Sequence, residues 1–248
     1  MGDYEVSIII PAYNEGNRIG NTLKDYVGFF SRISKDKFEI LVILNGCTDN
    51  TLEIVKKFRK DGVRYKNFTG KIGKGGAIIE GFKMANGEVI GFVDADLSTR
   101  PEAFYDLIMR IGDYDGIIAS RWIKGAKIEV KQHLARRISS RGFNILVRLL
   151  FGIRIRDTQC GAKLFKKHAI KKIVNNLGIS NWAFDIDLLY SMKKNNFEVI
   201  EVPTEWSEPG DSHLNLKKTI PEMFLAIIRL RLIYSPFRFI VKLYDKIM

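Results

Sequence analysis

The first 120 residues alternate between short apolar runs and segments whose apolar residues have helical spacing, and this pattern restricts the fold most strongly. Apolar, β-branched runs predict buried strands at residues 6–10 and 38–44, and further strands are predicted at 63–68, 88–93 and 114–120. Helices are predicted between them, at 14–34, after Asp49, at 73–85 and from Pro101. Strands that alternate with helices form an open, mostly parallel sheet with helices on both faces. The predicted fold class is therefore α/β.

Beyond residue 120 the alternation becomes less regular. Helices are predicted at 133–151 and 181–195, and a strand at 198–203. The first of these helices carries two stripes, a polar one at Arg137, Arg141, Asn144 and Arg148 and an apolar one at Leu134, Ile138, Ile145 and Leu149. Apolar stripes with intervening Lys and Arg continue on both sides of Pro236, as in an interfacial membrane helix. Packing on the chain itself or on a second subunit is the alternative.

The positive charge of the chain is concentrated in two zones. The formal charge is +12, yet residues 121–172 hold 15 Lys or Arg against 2 acidic residues, and residues 216–248 hold 7 against 2. The remainder is close to neutral or acidic. Such clustering suits a polyanionic ligand or an anionic membrane surface, whereas solvated helix faces would leave the lysines scattered.

The sequence also argues against several classes of protein. Cys47 and Cys160 lie far apart without metal-ligand spacing, so we expect reduced thiols in a cytosolic environment. No signal-peptide pattern and no uncharged apolar window long enough to cross a bilayer is found. A soluble or peripheral protein is therefore expected.

Two aspartates, Asp94 and Asp96, follow the apolar run at residues 89–93. Carboxylates two residues apart on an extended segment point the same way, and at the carboxyl end of a parallel strand they lie where open α/β sheets bind ligands. Such a pair suits a hard divalent cation that substrate phosphates complete. The alternative is a loop of solvated aspartates.

Six motifs occur in an order that is typical of one family. They are SIIIPAYNE, GKGGAIIEGF, DADLSTRPE, ASRW, RDTQCGAKLF and WAFDIDLL, and together they extend over most of residues 5–216. The chain resembles the family-2 glycosyltransferases of the GT-A fold, particularly the polyprenyl-phosphate (dolichyl-phosphate) sugar synthases. The DTQCG and WAFD motifs are more similar to those of the dolichyl-phosphate glucosyltransferases than to those of the mannosyl enzymes.

This resemblance implies an inverting enzyme that moves a hexose from a UDP-sugar, UDP-glucose or UDP-GlcNAc, to dolichyl or polyprenyl phosphate. It divides the chain into a GT-A domain at 1–215, with a nucleotide-sugar half at 1–120 and an acceptor half at 121–215, and a basic amphipathic membrane-associating tail at 216–248. The implied location is cytoplasmic, peripheral on the cytoplasmic face of a membrane. The resemblance leaves open whether the chain forms homo-oligomers, and it implies no nucleic-acid partner. A GDP-mannose-dependent dolichyl-phosphate mannosyltransferase and a non-catalytic protein that binds polyanions or membranes are the alternatives.

The resemblance also assigns the donor site. The nucleotide-sugar residues that it implies are Pro11, Ala12, Tyr13, Glu15, Asn45, Lys74, Asp94, Ala95 and Asp96. Asp94 would face the ribose side and Asp96 would bind Mg²⁺ or Mn²⁺ on the diphosphate, so these two are the expected metal ligands. Leu44 and Asn45 stand where the family has a pair of aspartates, and the carbonyl of Asn45 can accept the imide N–H of uracil. Lys74 would approach a phosphate or simply begin a helix.

For the acceptor, the resemblance implies that Arg121 holds the lipid phosphate, followed by Arg136, Arg137 and Ser140. An arginine fork can bind phosphate oxygens bidentately, and a phosphate nucleophile needs no strong general base. Three further aspartates are expected near the sugar and the acceptor, namely Asp157, Asp185 and Asp187. Asp185 would act in catalysis by orienting a sugar hydroxyl or the diphosphate, or would cap a helix.

Overall fold

In the computed structural model the description extends over residues 4–34, 37–128, 134–178, 183–207, 216–239 and 241, and excludes the side chains of 134–139 and 216–219. The strands are β1 (Val6–Ala12), β2 (Phe38–Asn45), β3 (Val63–Phe68), β4 (Val89–Phe92), β5 (Gly116–Ser120), β6 (Lys127–Ile128), β7 (Lys163–Lys166), β8 (Val199–Pro203) and β9 (Glu205–Trp206). The helices are α1 (Ile19–Ser34), α2 (Thr51–Lys57), α3 (Gly73–Met84), α4 (Pro101–Arg110), α5 (Leu134–Phe151), α6 (Lys167–Ile173), α7 (Phe184–Lys194) and α8 (Leu216–Ile233).

Seven strands form one sheet in the order β3-β2-β1-β4-β7-β5-β8, and β6 pairs with β9 beside it. All neighbours in the large sheet are parallel except β7, which runs antiparallel to β4 and to β5. The predicted open, mostly parallel α/β sheet is therefore confirmed. Because β1, β2 and β4 are parallel neighbours, their carboxyl ends meet at one edge, where such sheets bind ligands.

The apolar runs form the centre of the core. Every residue of β2 is buried, and so is every residue of β1 except Pro11. Helix α1 covers this sheet through a stripe of buried residues at helical spacing, which includes Ile19, Leu23 and Phe30. The apolar spacing in the sequence thus placed both layers correctly.

Helix α1 also fixes the loop that follows β4. The hydroxyl of Thr22 donates to the carbonyl oxygen of Ala95 at 2.7 Å, and the hydroxyl of Tyr26 donates to that of Thr99 at 2.9 Å. Both hydrogen bonds are buried, and a buried donor or acceptor that loses its partner costs free energy. The loop with the two aspartates is therefore attached to α1 at two points, Ala95 and Thr99.

Several element boundaries differ from the sequence prediction. Strand β1 continues through Pro11 to Ala12, since a proline near the end of a strand removes only one donor from the ladder. Strand β7 and helix α6 were not predicted. The apolar part of β7 is only Leu164 and Phe165, flanked by Lys163 and Lys166, a pattern too short to distinguish a strand.

One side of helix α8 packs against the rest of the chain. Ile227 and Leu230 are buried, and the Tyr234 hydroxyl just beyond the helix donates to Oδ1 of Asp187 in α7 at 2.6 Å. Burial and the neighbouring Asp187 carboxylate raise the pKa of Tyr234. Within the ranges described above, no helix is long and apolar enough to cross a membrane.

We expect Tyr234→Phe to lower the free energy of unfolding by about 1.5–3 kcal/mol, because the buried carboxylate of Asp187 loses a donor. Urea unfolding followed by circular dichroism measures this change. Tyr114→Phe is the matched control, since Tyr114 is exposed. Equal stability of the two variants would contradict a structural role for this hydrogen bond.

Candidate functional site

A cavity of about 210 Å³ lies at the edge where β1, β2 and β4 end. The residues that line it are Pro11, Ala12, Tyr13, Glu15, Asn45, Lys74, Asp94, Ala95 and Asp96. These nine are the residues that the sequence predicts for the nucleotide sugar. They come from three strand ends and the start of α3, so the fold brings together residues up to 85 positions apart.

Lys74 and Asp94 form an ion pair in this cavity. The ammonium nitrogen lies 2.5 Å from Oδ1 of Asp94. Burial lowers the pKa of Lys74, but the carboxylates of Asp94, Asp185 and Asp96 raise it by more. Burial likewise raises the pKa of Asp94, whereas Lys74 lowers it by more, helped by Lys163 and Arg121. Lys74 thus lies in the first turn of helix α3 and also places a positive charge at the cavity.

The second aspartate is held by a tight turn. Oδ1 of Asp96 accepts the backbone N–H of Ser98 at 3.0 Å. Between them Leu97 has a φ of 59°, in the left-handed region that non-glycine residues rarely adopt. Strain of this kind persists where the surroundings impose it, and here the bonds from α1 do so. The turn fixes the position of the Asp96 carboxylate beside that of Asp94.

A third carboxylate, that of Glu15, completes the acidic side of the cavity. Arg18 donates to both of its oxygens, at 2.8 and 2.9 Å. Burial raises the pKa of Glu15, Arg18 opposes this shift, and the charges of Asp96 and Asp94 add to it. The three carboxylates are thus near enough to repel one another, which an added cation would relieve.

The donor set suits Mg²⁺ or Mn²⁺. Both ions prefer oxygen ligands, and Mg²⁺ is usually bound by one or two carboxylates, with water and substrate phosphates as the other ligands. In the described ranges no three acidic, His or Cys side chains converge as a complete metal cage. Asp94 and Asp96 therefore fit an ion that arrives with a diphosphate.

Asn45 is used differently from the prediction. Its Oδ1 accepts the backbone N–H groups of Ile72 at 2.6 Å and Gly73 at 3.1 Å, at the start of α3. Two donors occupy both lone pairs of this carbonyl oxygen. The expected acceptance of the uracil imide N–H by Asn45 is therefore wrong, and only the amide N–H groups remain for a ligand.

Lys163 is a residue of the site that the sequence analysis missed. It is 0% exposed, and its ammonium group donates to the carbonyl oxygen of Cys160 and to Oδ1 of Asp185, both at 2.5 Å. The ring centre of Phe92 lies 5.2 Å away. A lysine inside the apolar run GAKLF was the available signal, since lysine is almost never fully buried unless it is paired.

Asp185 consequently has a partner of its own. It lies in the first turn of α7, whose N-cap is Ala183, without a side-chain cap. The predicted alternative of a helix cap is therefore wrong. Its carboxylate contributes to the raised pKa of Lys74, so it lies within electrostatic reach of that lysine. Gly161 lies beside Asp94, because a Cβ at this position would be 2.0 Å from Oδ2 of that aspartate.

Arg121 is rigidly held at the end of β5. Its Nε and Nη2 donate to the two carboxylate oxygens of Asp157, each at 2.8 Å, and its backbone N–H donates to Oδ2 at 2.9 Å. Asp157 is fully buried and Arg121 is 12% exposed. Burial lowers the pKa of Arg121, whereas Asp157 raises it by more. Asp157 thus acts through Arg121, whose Nη1 has no partner among the described residues.

The surroundings of Arg121 are aromatic and basic. Its guanidinium carbon lies 5.2 Å from the ring centre of Trp206 and 5.8 Å from that of Trp122, and Arg141 lies 5.1 Å from the latter. The indole nitrogen of Trp122 is buried without a hydrogen-bond partner in the described ranges. Asn144 of α5 accepts both donors of Thr158, the residue after Asp157, and so joins α5 to this cluster.

The remaining acceptor predictions have mixed outcomes. Ser140 is half-buried in α5, while the side chains of Arg136 and Arg137 lie outside the description. Asp187 does not join the site. It is buried beside a separate cavity of about 570 Å³ between α7 and the residues after α8, where Tyr234 and the backbone N–H of Gly178 donate to it.

Comparison with protein families identifies the class of this chain. The family model described as "Glycosyl transferase family 2" matches residues 7–174, which include the cavity, Arg121 and Lys163. The chain belongs to glycosyl transferase family 2. The predicted family and the predicted enzyme class, a glycosyltransferase, are thereby confirmed.

Curated relatives of this family-2 chain include three from distant organisms. "Glycosyltransferase AglD" of Haloferax volcanii is 33% identical over 230 residues, which are 91% of this chain and 36% of the relative, so the chain spans about a third of that protein. "Dolichyl-phosphate beta-glucosyltransferase" of Dictyostelium discoideum is 32% identical, over 92% of this chain and 74% of the relative. The Saccharomyces cerevisiae protein of the same name is also 32% identical, over 92% and 75%.

Solved structures share the fold of this family-2 chain at low sequence identity. A mannosyltransferase from Pyrobaculum calidifontis, in complex with GDP-Man and Mn²⁺, has a TM-score of 0.64 and 17% identity, over 91% of this chain and 64% of that one. Glucosyl-3-phosphoglycerate synthase from Mycobacterium tuberculosis, in complex with Mn²⁺, UDP and glucosyl-3-phosphoglycerate, has a TM-score of 0.67 and 15% identity, over 92% of this chain and 80% of that one. The predicted GT-A fold is confirmed.

Proposed function

We propose that this family-2 glycosyltransferase transfers a hexose from a nucleotide sugar to dolichyl or polyprenyl phosphate, with inversion at the sugar. The observation that carries the proposal is the cavity in which Lys74, Asp94 and Asp96 meet, together with Arg121, which Asp157 holds directly after β5. A cation-binding pair of carboxylates suits a diphosphate leaving group, and a rigid arginine suits a phosphate nucleophile. The names of the Dictyostelium and yeast relatives, both dolichyl-phosphate beta-glucosyltransferases, support the lipid acceptor.

In this proposal the donor diphosphate lies over Asp94 and Asp96. A bound Mg²⁺ or Mn²⁺ ion would neutralise the charge that accumulates on the nucleoside diphosphate as the sugar bond breaks. Lys74 supplies a second positive charge, because its raised pKa keeps it protonated throughout the neutral range. Tyr13, Glu15 and the amide N–H groups of Asn45 would contact the nucleoside.

The acceptor phosphate would lie against Arg121. An oxygen of the phosphate forms the new bond to the anomeric carbon, and the electron pair of the breaking bond stays on the diphosphate. No proton has to leave a phosphate dianion, so orientation and charge compensation supply most of the rate. Asp157 holds the arginine, and Asp185, fixed by Lys163, would orient a sugar hydroxyl.

The donor that we propose is UDP-glucose, supported by the glucosyltransferase names of the relatives. The test is release of UDP or GDP from UDP-glucose, UDP-GlcNAc and GDP-mannose in the presence of Mn²⁺ and a short polyprenyl phosphate. We expect UDP release from UDP-glucose, which requires the acceptor, together with a rise in melting temperature on addition of UDP and Mn²⁺. Turnover of GDP-mannose alone would establish the alternative donor, and turnover without the lipid phosphate would refute the acceptor.

The same proposal includes the cellular location of the protein and its division into functional parts. The enzyme would work on the cytoplasmic face of a membrane, with which the basic tail at 216–248 would associate. The nucleotide-sugar half at 1–120 and the acceptor half at 121–215 are functional divisions. The positive charge at 121–172 would serve a phosphate acceptor better than a nucleic acid, because Arg121 helps to lower the pKa of Asp94 and so lies within electrostatic reach of the donor site.

A further inference from the structure

Most of the exposed large apolar side chains lie in the C-terminal part of the chain. Twelve such side chains are exposed in the described ranges, and eight of them lie at residues 145–239. These eight are Ile145, Leu149, Ile220, Phe224, Leu225, Ile228, Phe237 and Phe239. Single exposed apolar residues are ordinary, whereas a concentration of them marks an interaction surface.

Two of these residues lie on α5, where the sequence predicted an apolar stripe. Ile145 is 55% exposed and Leu149 is 77% exposed, whereas Val147 and Phe151 face the core. Helix α5 therefore has an inner apolar side and an outer side on which Arg141, Ile145, Arg148 and Leu149 are all exposed. An outer side that mixes arginine with aliphatic residues is not explained by packing within the chain.

Helix α8, which packs against α5, repeats this arrangement. Its inner residues Ile227 and Leu230 are buried, while Phe224, Leu225 and Ile228 are exposed, with Arg231 among them. Over their full lengths the two helices contain eight Lys or Arg and one acidic residue, Glu222. We refer to the exposed residues of both helices, Arg141, Ile145, Arg148, Leu149, Phe224, Leu225, Ile228 and Arg231, as the α5–α8 face.

We propose that the α5–α8 face docks on an anionic lipid bilayer, with the apolar side chains among the acyl chains and the arginines at the headgroups. Charge complementarity favours this partner, because basic residues near an anionic leaflet are attracted and aliphatic neighbours add burial. A second copy of the chain, equally basic on this face, would be repelled. The surface thus includes a helix of the catalytic domain as well as the tail.

The face is continuous with the residues proposed for the acceptor. Arg141 lies over Trp122, next to Arg121, and Asn144 on the same helix holds Thr158 beside Asp157. Docking through α5 would bring Arg121 to the level of lipid headgroups, where the phosphate of a membrane-embedded acceptor lies. The choice of a bilayer as partner rests in this respect on the proposed function.

The test is sedimentation with vesicles, without any sugar donor. We expect the protein to bind vesicles of equal parts phosphatidylcholine and phosphatidylglycerol, to bind phosphatidylcholine alone weakly, and to lose binding at high salt. Leu149→Glu and Leu225→Glu should each weaken partitioning onto the vesicles by about tenfold, because each variant loses an inserted aliphatic group and gains a negative charge. Met109→Glu is the matched control, because Met109 is 66% exposed on α4 and lies outside the face.

Three results would overturn the proposal. In the first, both glutamate variants still bind the vesicles as the wild type does. In the second, Met109→Glu weakens vesicle binding as strongly as they do. In the third, the protein forms a dimer without lipid, and Leu225→Glu dissociates it. Sugar transfer to a short, water-soluble polyprenyl phosphate separates this proposal from the proposed function. We expect the two glutamate variants to keep transfer to the soluble acceptor and to lose transfer to an acceptor embedded in vesicles. If the wild type transfers no sugar to the soluble acceptor, only the proposed function is refuted.

Discussion

Asp96→Asn is expected to reduce kcat by about 100- to 1000-fold, the usual effect of removing one group that stabilises transition-state charge. Asparagine keeps the size of the side chain and an oxygen that can still accept the Ser98 N–H, so the turn at Leu97 should persist. What is lost is the negative charge toward a divalent cation. The concentration of Mn²⁺ that gives half-maximal activity should therefore rise together with the fall in kcat.

Asp106→Asn provides the matched control for this measurement. Asp106 is paired with Arg110 on the outer side of α4, and both side chains are exposed. Its replacement should change neither kcat nor the Mn²⁺ requirement. If Asp96→Asn retains wild-type kcat and Mn²⁺ dependence, Asp96 is not a metal ligand, and the proposed handling of the diphosphate is wrong.

Lys163→Met should have the second large effect, on folding as well as on activity. Removal of the ammonium group leaves the largely buried Asp185 carboxylate without its partner, and breaking a buried pair costs about 3–5 kcal/mol. Unfolding in urea measures this loss. By contrast, Lys66→Met breaks a partly exposed pair with Glu80 and should change stability by at most about 1 kcal/mol.

A double variant separates the charge from the packing at this position. In Lys163→Met with Asp185→Asn no uncompensated carboxylate remains, so much of the lost stability should return. Activity should not return, because a neutral amide in place of Asp185 no longer orients a sugar hydroxyl in the same way. Recovery of kcat in the double variant would refute the positioning role of Lys163 and leave it a structural residue.

The sequence predicted the parts of the site that depend on local patterns. A run of β-branched residues ends at Asp94, the IGKGGA segment places Lys74 at the start of a helix, and parallel strands bring these ends to one edge. The family resemblance supplied the full set of nine donor residues, and all nine line one cavity. The alternation of strands and helices is itself local, which is why β1 to β5 were found.

Pairings between distant residues could not be predicted in this way. Asn45 has both lone pairs filled by residues 27 and 28 positions later, and Asp157 is paired with Arg121, which lies 36 positions earlier. Lys163 of strand β7 is buried against its partner Asp185 in helix α7, 22 positions later. In each case the side chain is polar and its sequence neighbours do not indicate its partner, so only the assembled fold decides its role.

The position of β7 has a consequence for the synthesis of this protein. It lies between β4 and β5, although it is made some 45 residues after β5. A nascent chain that has left the ribosome only as far as residue 120 therefore has β4 as an open edge, with unpaired backbone groups ready to pair with another chain. The sheet closes only when residues 163–166 insert in antiparallel orientation. A fragment cut at residue 120 should aggregate, and the nascent chain is most exposed to chaperones during this interval.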